Sequence, residues 1–343
     1  MVPALSGCYL LQAAAGQMEV IARSQPIASV LAQPGTDPAT RERLTVVVEA
    51  REFAVQRLDL PAGNSYRDYA DLGRRYALWN VVVTPEFSVE ARRWCFPFAG
   101  CVRYRGYFRE SQARTAAARY RRAGDDVFVG GVAAYSTLGH FSDPILSAML
   151  RWPETRLVGT LFHELAHEKL YVKDDSRFNE AFASVVEEEG VRLWLQSHER
   201  DAEFVDYQRK LQREGEFAAL LREARRRLER LYNSAVTAES MRAEKQREFG
   251  RLKFDYQVLR EQWGGYPGYD AWFAQTLSNA DLAAVATYHD CVPGLRRELA
   301  AAGSLPVFYQ RAIGLAGLPQ RRRHEAVCRF ASDPKGGGGQ AVR

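Results

Sequence analysis

The sequence predicts an α+β protein that is mainly α: a helical lobe, a small twisted sheet and a long helical hairpin. Three observations predict it. Runs with strand character are confined to the region 76–135, helical periodicity dominates from about residue 153 onward, and residues 199–262 are long, charged and periodic with one break near Asn233-Ser234. The 343 residues are 46% hydrophobic and 26% charged, a globular composition that excludes a collagen, a coiled-coil rod and a wholly disordered chain. A net charge of +5 over that length is too dilute to indicate a nucleic-acid partner. No apolar run reaches the roughly 18–20 residues of a membrane span.

Taken in order, residues 9–32 read as one amphipathic helix ending before Pro34, and 34–40 (PGTDPAT) as a turn-rich break. Residues 38–58 are again helical, and 60–65 form a loop. Residues 77–83 are a strand stopped by Thr84-Pro85, and 100–108 are extended and aromatic. Residues 110–122 form a basic helix, and 126–135 a second strand in which Gly130-Gly131 signals a bulge or a close backbone approach. A helix follows Pro153, the next begins at Asp174-Asp175-Ser176, and 331–343 is a glycine-rich flexible tail. The arginine runs at 222–230 and 321–323 read as solvated faces.

At the N-terminus, Leu5-Ser6-Gly7-Cys8 resembles a bacterial lipobox, after which the cysteine is lipidated, although only four residues precede it. On that reading residues 1–8 are the remnant of a signal, the chain is periplasmic, and a lipid at Cys8 is its one link to a membrane. The alternative is an ordinary cysteine heading an apolar helix. Cys95 and Cys101, six apart around Pro97 and Gly100, either close a small disulfide or stay as buried thiols.

The chemistry is carried by His163-Glu164-Leu165-Ala166-His167. In a helix, positions i and i+4 share a face, so two imidazoles can grip one metal ion. Zinc suits nitrogen donors with an open fourth position, and Glu164 beside them can act as the general base. Six histidines in 343 residues produce this spacing by chance in roughly one chain in a hundred, so context decides. Here the flanks are apolar, and buried neighbouring His and Glu need a partner. A third ligand is expected from the next helix: Glu180, thirteen residues on, is the lone acid among Phe178, Phe182 and Val185. Asn179 or Ser184 could orient a ligand, and Asp174 or Asp175 could accept an imidazole N–H. Glu187, Glu188 and Glu189 read as a solvated face.

HExxH followed by an Asn-Glu pair resembles the gluzincins, metallopeptidases with a His, His, Glu zinc site. With Tyr104-Arg105-Gly106-Tyr107-Phe108, the segments 134–139 and 141–144, the block HELAHEKLYVKDDSRFNEAFAS (163–184) and Asn279-Ala280 through Tyr288, about 5–330 of the chain resembles the putative aminopeptidase family of Gram-negative bacteria, whose members often carry a lipoprotein signal. His140 stands where another aromatic is expected. The resemblance implies that His163, His167 and Glu180 bind Zn2+ and that Glu164 is the base. It also implies a zincin, thermolysin-like core over a single catalytic domain, 9–330, with metal helices in 153–197 and the hairpin as an insertion that covers or rims the cleft. In this class an edge strand, here 126–135, pairs with the substrate backbone, and a tyrosine or histidine steadies the oxyanion, for which Tyr135, Tyr288 and His289 are candidates.

The expected function is a zinc-dependent metallopeptidase, an aminopeptidase acting on peptide substrates. The competing readings are a non-catalytic zinc-containing envelope scaffold, which an intact Glu164 disfavours, and a zinc amidase on a non-peptide substrate.

Overall fold

The computed structural model describes residues 4–96, 100–134, 142–285 and 291–328, the side chains of 4–8, 96 and 100 aside. Tyr135, His140, Tyr288 and His289, and the C-terminal tail, all singled out in the sequence, lie outside the described residues. The elements run α1 (Ala4–Arg23), β1 (Ser24–Pro26), α2 (Ile27–Ala32), α3 (Pro38–Arg57), β2 (Asp68–Ala70), β3 (Leu78–Thr84), β4 (Trp94–Phe96), β5 (Gly100–Val102), β6 (Arg105–Tyr107), α4 (Glu110–Arg122), β7 (Asp126–Val132) and β8 (Ile145–Leu146). They continue with α5 (Glu154–Lys169), α6 (Ser176–Ser197), α7 (Asp201–Tyr232), α8 (Ala238–Gln262), α9 (Asp270–Phe273), α10 (Asn279–Val285), α11 (Val292–Ala302), α12 (Leu305–Ala316) and α13 (Gln320–Val327). The mainly helical α+β expectation holds.

The single helix expected over 9–32 is instead two. Pro26 cannot donate to a helix and biases Gln25 towards extended backbone, so Ser24–Pro26 pairs antiparallel with β2 before α2 begins. Asp37 caps α3 through the Thr40 amide at 2.9 Å.

Among the described residues the strands form three small sheets rather than the single one expected from 76–135. One, ordered β6-β3-β7, is antiparallel; β4 pairs with β5; and β1-β2-β8 joins segments outside that region. Strand β7 stops at Val132, short of the expected 135, and its register with β3 runs without a bulge from Leu78↔Val132 to Thr84↔Asp126. The close-approach reading of the glycines is the one that holds, since a Cβ on Gly131 would stand 2.4 Å from the Tyr76 ring.

The largest core packs α3, α5, α6, α11 and α12 around Leu44, Phe162, Phe178, Phe182 and Phe308. The hairpin α7–α8 has a separate apolar cluster with Phe217, Leu228, Leu252 and Tyr256. It grips the sheet through polar contacts: Lys245 Nζ donates to Asp126 Oδ2 (2.7 Å) and to the Glu86 carbonyl (2.8 Å), and Asn279, fully buried, bridges the same two residues. The arginine runs are not simply solvated. Arg227 pairs with Glu248 at 2.6 Å across the hairpin, and Arg323, 3% exposed, pairs with Asp175 at 2.8 Å.

Cys95 and Cys101 are disulfide-bonded, directly opposite each other in the β4–β5 pair. A second disulfide that the sequence did not signal, Cys291–Cys328, ties the start of α11 to the end of α13.

Candidate metal centre

Helix α5 starts after Pro153 and buries Leu157, Val158, Leu161, Phe162 and Leu165. Asp175 caps α6 by accepting from the Phe178 amide at 3.3 Å. Asn179 fastens the connecting loop, exchanging two 2.8 Å hydrogen bonds with the Val172 backbone. Contacts of His163 with Glu187, Gly159 with Val191 and Glu154 with Trp194 show that α6 returns antiparallel along α5. Two glycines allow this approach: a Cβ on Gly190 would meet Phe162 at 2.6 Å and Leu58 at 2.9 Å, and one on Gly159 would meet Glu187 at 3.0 Å.

The crossing brings His163, His167 and Glu180 together, with one ligand atom from each within 4.8 Å of the others. His163 Nε2 lies 3.4 Å from Glu180 Oε2, and His167 Nε2 lies 3.7 Å from Glu180 Oε1. These separations are long for hydrogen bonds. They match adjacent corners of a tetrahedron, because zinc bonds of roughly 2.1 Å set neighbouring donors roughly 3.4 Å apart. The donor set therefore fits a zinc ion. The histidine side chains are 17% and 8% exposed and that of Glu180 48%, so the site is walled on the α5 side and open on the Glu180 side.

The electrostatics also call for a cation. Burial works against a charge on His163, yet the neighbouring carboxylates of Glu180 and Glu187 override it and raise its pKa to about 10. Burial, then the neighbouring His163, lowers His167 to about 4. The pocket thus stabilises one positive charge, held by a proton on His163 or by a metal ion in its place.

The reading of Glu187–Glu189 as a solvated face is overturned at Glu187. Glu187 Oε2 lies 3.0 Å from His163 Nδ1, and its Oε1 accepts from the buried Tyr207 hydroxyl of α7 at 3.3 Å. Glu188 and Glu189 pair with Arg296 and Arg192. Glu187 is the carboxylate that orients His163, the role expected of Asp174 or Asp175. Asp175 instead meets Arg323 and His324, and Asn179 braces the loop rather than a ligand. The signal for Glu187 was present, since it follows Glu180 by seven residues, two turns along one face. Nothing in the charged sequence of α7 marks Tyr207.

Glu164 lines a cavity of about 310 Å³ with Trp152, Arg156, Thr160 and the end of β7 at Gly131–Ala134. A second cavity, about 630 Å³, shares Gly131 and Val132 and includes Asn80, Tyr104 and Arg225. Burial of its phenol, then the charge of Glu180, raises the pKa of Tyr104, so it remains a hydrogen-bond donor. It is a functional candidate that the sequence reading of oxyanion donors did not include.

A mainly helical α+β chain with a His, His, Glu cluster on two crossing helices is the class that fold and site define. The chain matches the family model described as putative aminopeptidase over residues 8–327, and it belongs to that family. No curated protein and no solved structure matches it.

Proposed function

We propose that the protein is a zinc-dependent metallopeptidase, an aminopeptidase in which His163, His167 and Glu180 hold the metal and Glu164 is the general base. The observation that carries this is the convergence of the three donors within 4.8 Å, with Glu180 at 3.4 and 3.7 Å from the two imidazoles and Glu164 next to His163 and lining a cavity. His163, His167 and Glu180 would hold a zinc ion that, when bound, would polarise a substrate carbonyl and make an attacking water acidic near neutral pH. The Glu164 carboxylate accepts the proton of that water and delivers it to the departing amine nitrogen as the C–N bond breaks. Glu187 holds the Nδ1–H of His163, which leaves Nε2 free as a ligand. Strand β7 is paired on one side to β3, and among the described residues no strand pairs with its other edge; that edge is the candidate to offer backbone groups to an extended peptide, and Gly131 and Val132 line both cavities. Tyr104 is a fourth candidate, with Tyr135, Tyr288 and His289, to donate to the substrate carbonyl oxygen. We place the protein in the periplasm, where both disulfides persist and where lipidation at Cys8 would hold it to a membrane.

The test is hydrolysis of a panel of aminoacyl amides and blocked peptides by the wild type and by Glu164→Gln. Turnover of free-amine substrates that Glu164→Gln abolishes while keeping its zinc supports the reading. Activity on blocked peptides alone makes the enzyme an endopeptidase, activity on non-peptide amides alone makes it an amidase, and turnover that survives Glu164→Gln refutes the role of Glu164.

A further inference from the structure

Helix α1 faces the wrong way for a surface helix in water. Its inner side is firmly seated: Gln12 donates to the Gly106 carbonyl at 3.0 Å and accepts from the Phe108 amide at 3.3 Å, and Val20 is buried. Gly16 packs so closely that a Cβ there would overlap the Phe108 ring. At 100° per residue the opposite side carries Leu10, Leu11, Ala14, Met18, Ile21 and Ala22, all exposed. Leu11 is 71% exposed, Met18 62%, Leu10 48% and Ile21 45%. The helix has two charged residues, and neither lies in this stripe. Glu19 pairs with Arg74 at 2.9 Å, and Arg23 donates to the Asp71 carbonyl. An outward face of three to four turns without a charge is a contact surface rather than a solvated one.

We propose that this face of α1 is a membrane-contact surface, lying along a lipid bilayer with Leu10, Leu11, Met18 and Ile21 entering the headgroup–acyl boundary. One observation selects lipid over a protein partner. The lipobox-like Leu5-Ser6-Gly7-Cys8 directly precedes the stripe in the sequence, so a diacylglyceryl group on Cys8 would hold this end of α1 at a bilayer and bring the adjoining apolar face against it. The proposal does not depend on the metal reading, and its test does not require lipidation.

The experiment is flotation of the full chain, purified without acylation, with vesicles of phosphatidylethanolamine and phosphatidylglycerol, at low and high salt. The comparison is the Leu11→Glu/Met18→Glu double variant, with circular dichroism and melting as controls for folding. The expected result is salt-resistant vesicle binding by the wild type and binding at least about tenfold weaker by the folded double variant. Equal binding by both proteins, binding that salt abolishes, or no binding by the wild type would overturn the proposal. A concentration-dependent dimer that the double variant loses, without vesicle binding, would assign the face to a second copy and overturn it as well.

Discussion

Glu187 and Tyr207 turn a three-residue cluster into a five-residue centre, and each makes a distinct prediction. Glu187→Gln should weaken zinc binding by about 10- to 100-fold, because the neutral amide loses the charge that orients and polarises His163. Tyr207→Phe keeps the ring in its packed position and removes one hydrogen bond, so its effect should be smaller, about two- to tenfold. Competition with a chromophoric chelator measures both. The protonation states add a pH dependence. In the metal-free protein His163 titrates at about 10 and His167 at about 4, so near pH 7 zinc must displace the proton of His163. Calorimetry in buffers of different ionisation enthalpy should show release of about one proton per zinc, and affinity should rise with pH until His163 is neutral. Among the ligands, residue-level legibility was high, because a helix converts the spacing of His163 and His167 directly into a shared face. It failed at Glu187, where a run of three glutamates looked like solvent-facing surface and only the α5–α6 crossing separates one from the other two.

At the scale of elements, the α5–α6 crossing depends on Gly190. Gly190→Ala places a methyl against Phe162 and Leu58, and should destabilise the protein by about 1–3 kcal/mol with loss of zinc affinity, read by chemical denaturation and chelator competition. The start of α6 is pinned from the C-terminal side by Asp175, whose carboxyl meets Arg323 and His324. Burial works against its charge, but the hydrogen bonds from His324 and Arg323 prevail and hold its pKa below the ordinary 3.8. A depressed carboxyl stabilises the fold above its unfolded pKa, so this contribution is fully present at neutral pH and is lost as pH falls below about 4. Asp175→Asn should cost about 3–5 kcal/mol at pH 7, because Arg323 is left buried without its counter-charge, and the difference from wild type should shrink in acid melts. Helix starts with a cap residue or proline, at 38, 154 and 176, were readable because capping is local. The break at Ser24–Pro26 was not, because helical periodicity continues through it and the partner strand at Asp68–Ala70 is more than forty residues away.

For the whole molecule, the sequence predicts helix-rich content well and sheet topology poorly. Pairing of two- and three-residue strands from distant segments, as in β1-β2-β8, leaves no periodic trace. The same holds for Cys291–Cys328, whose separation of 37 residues carries no motif. Reducing that disulfide, or replacing both cysteines with serine, should lower stability by roughly 3–4 kcal/mol on the loop-entropy model, measured by denaturant titration, with the zinc donors undisturbed. On the proposed reading, two helices, a close glycine crossing and a bracing hairpin together would form one zinc site. The most direct test of that reading is metal content by plasma mass spectrometry on wild type and Glu180→Ala after exposure to zinc and desalting. Zinc near one equivalent in the wild type and its loss from a folded Glu180→Ala is the predicted result. A wild type that takes up no zinc, or a Glu180→Ala variant that retains it fully, would contradict the account.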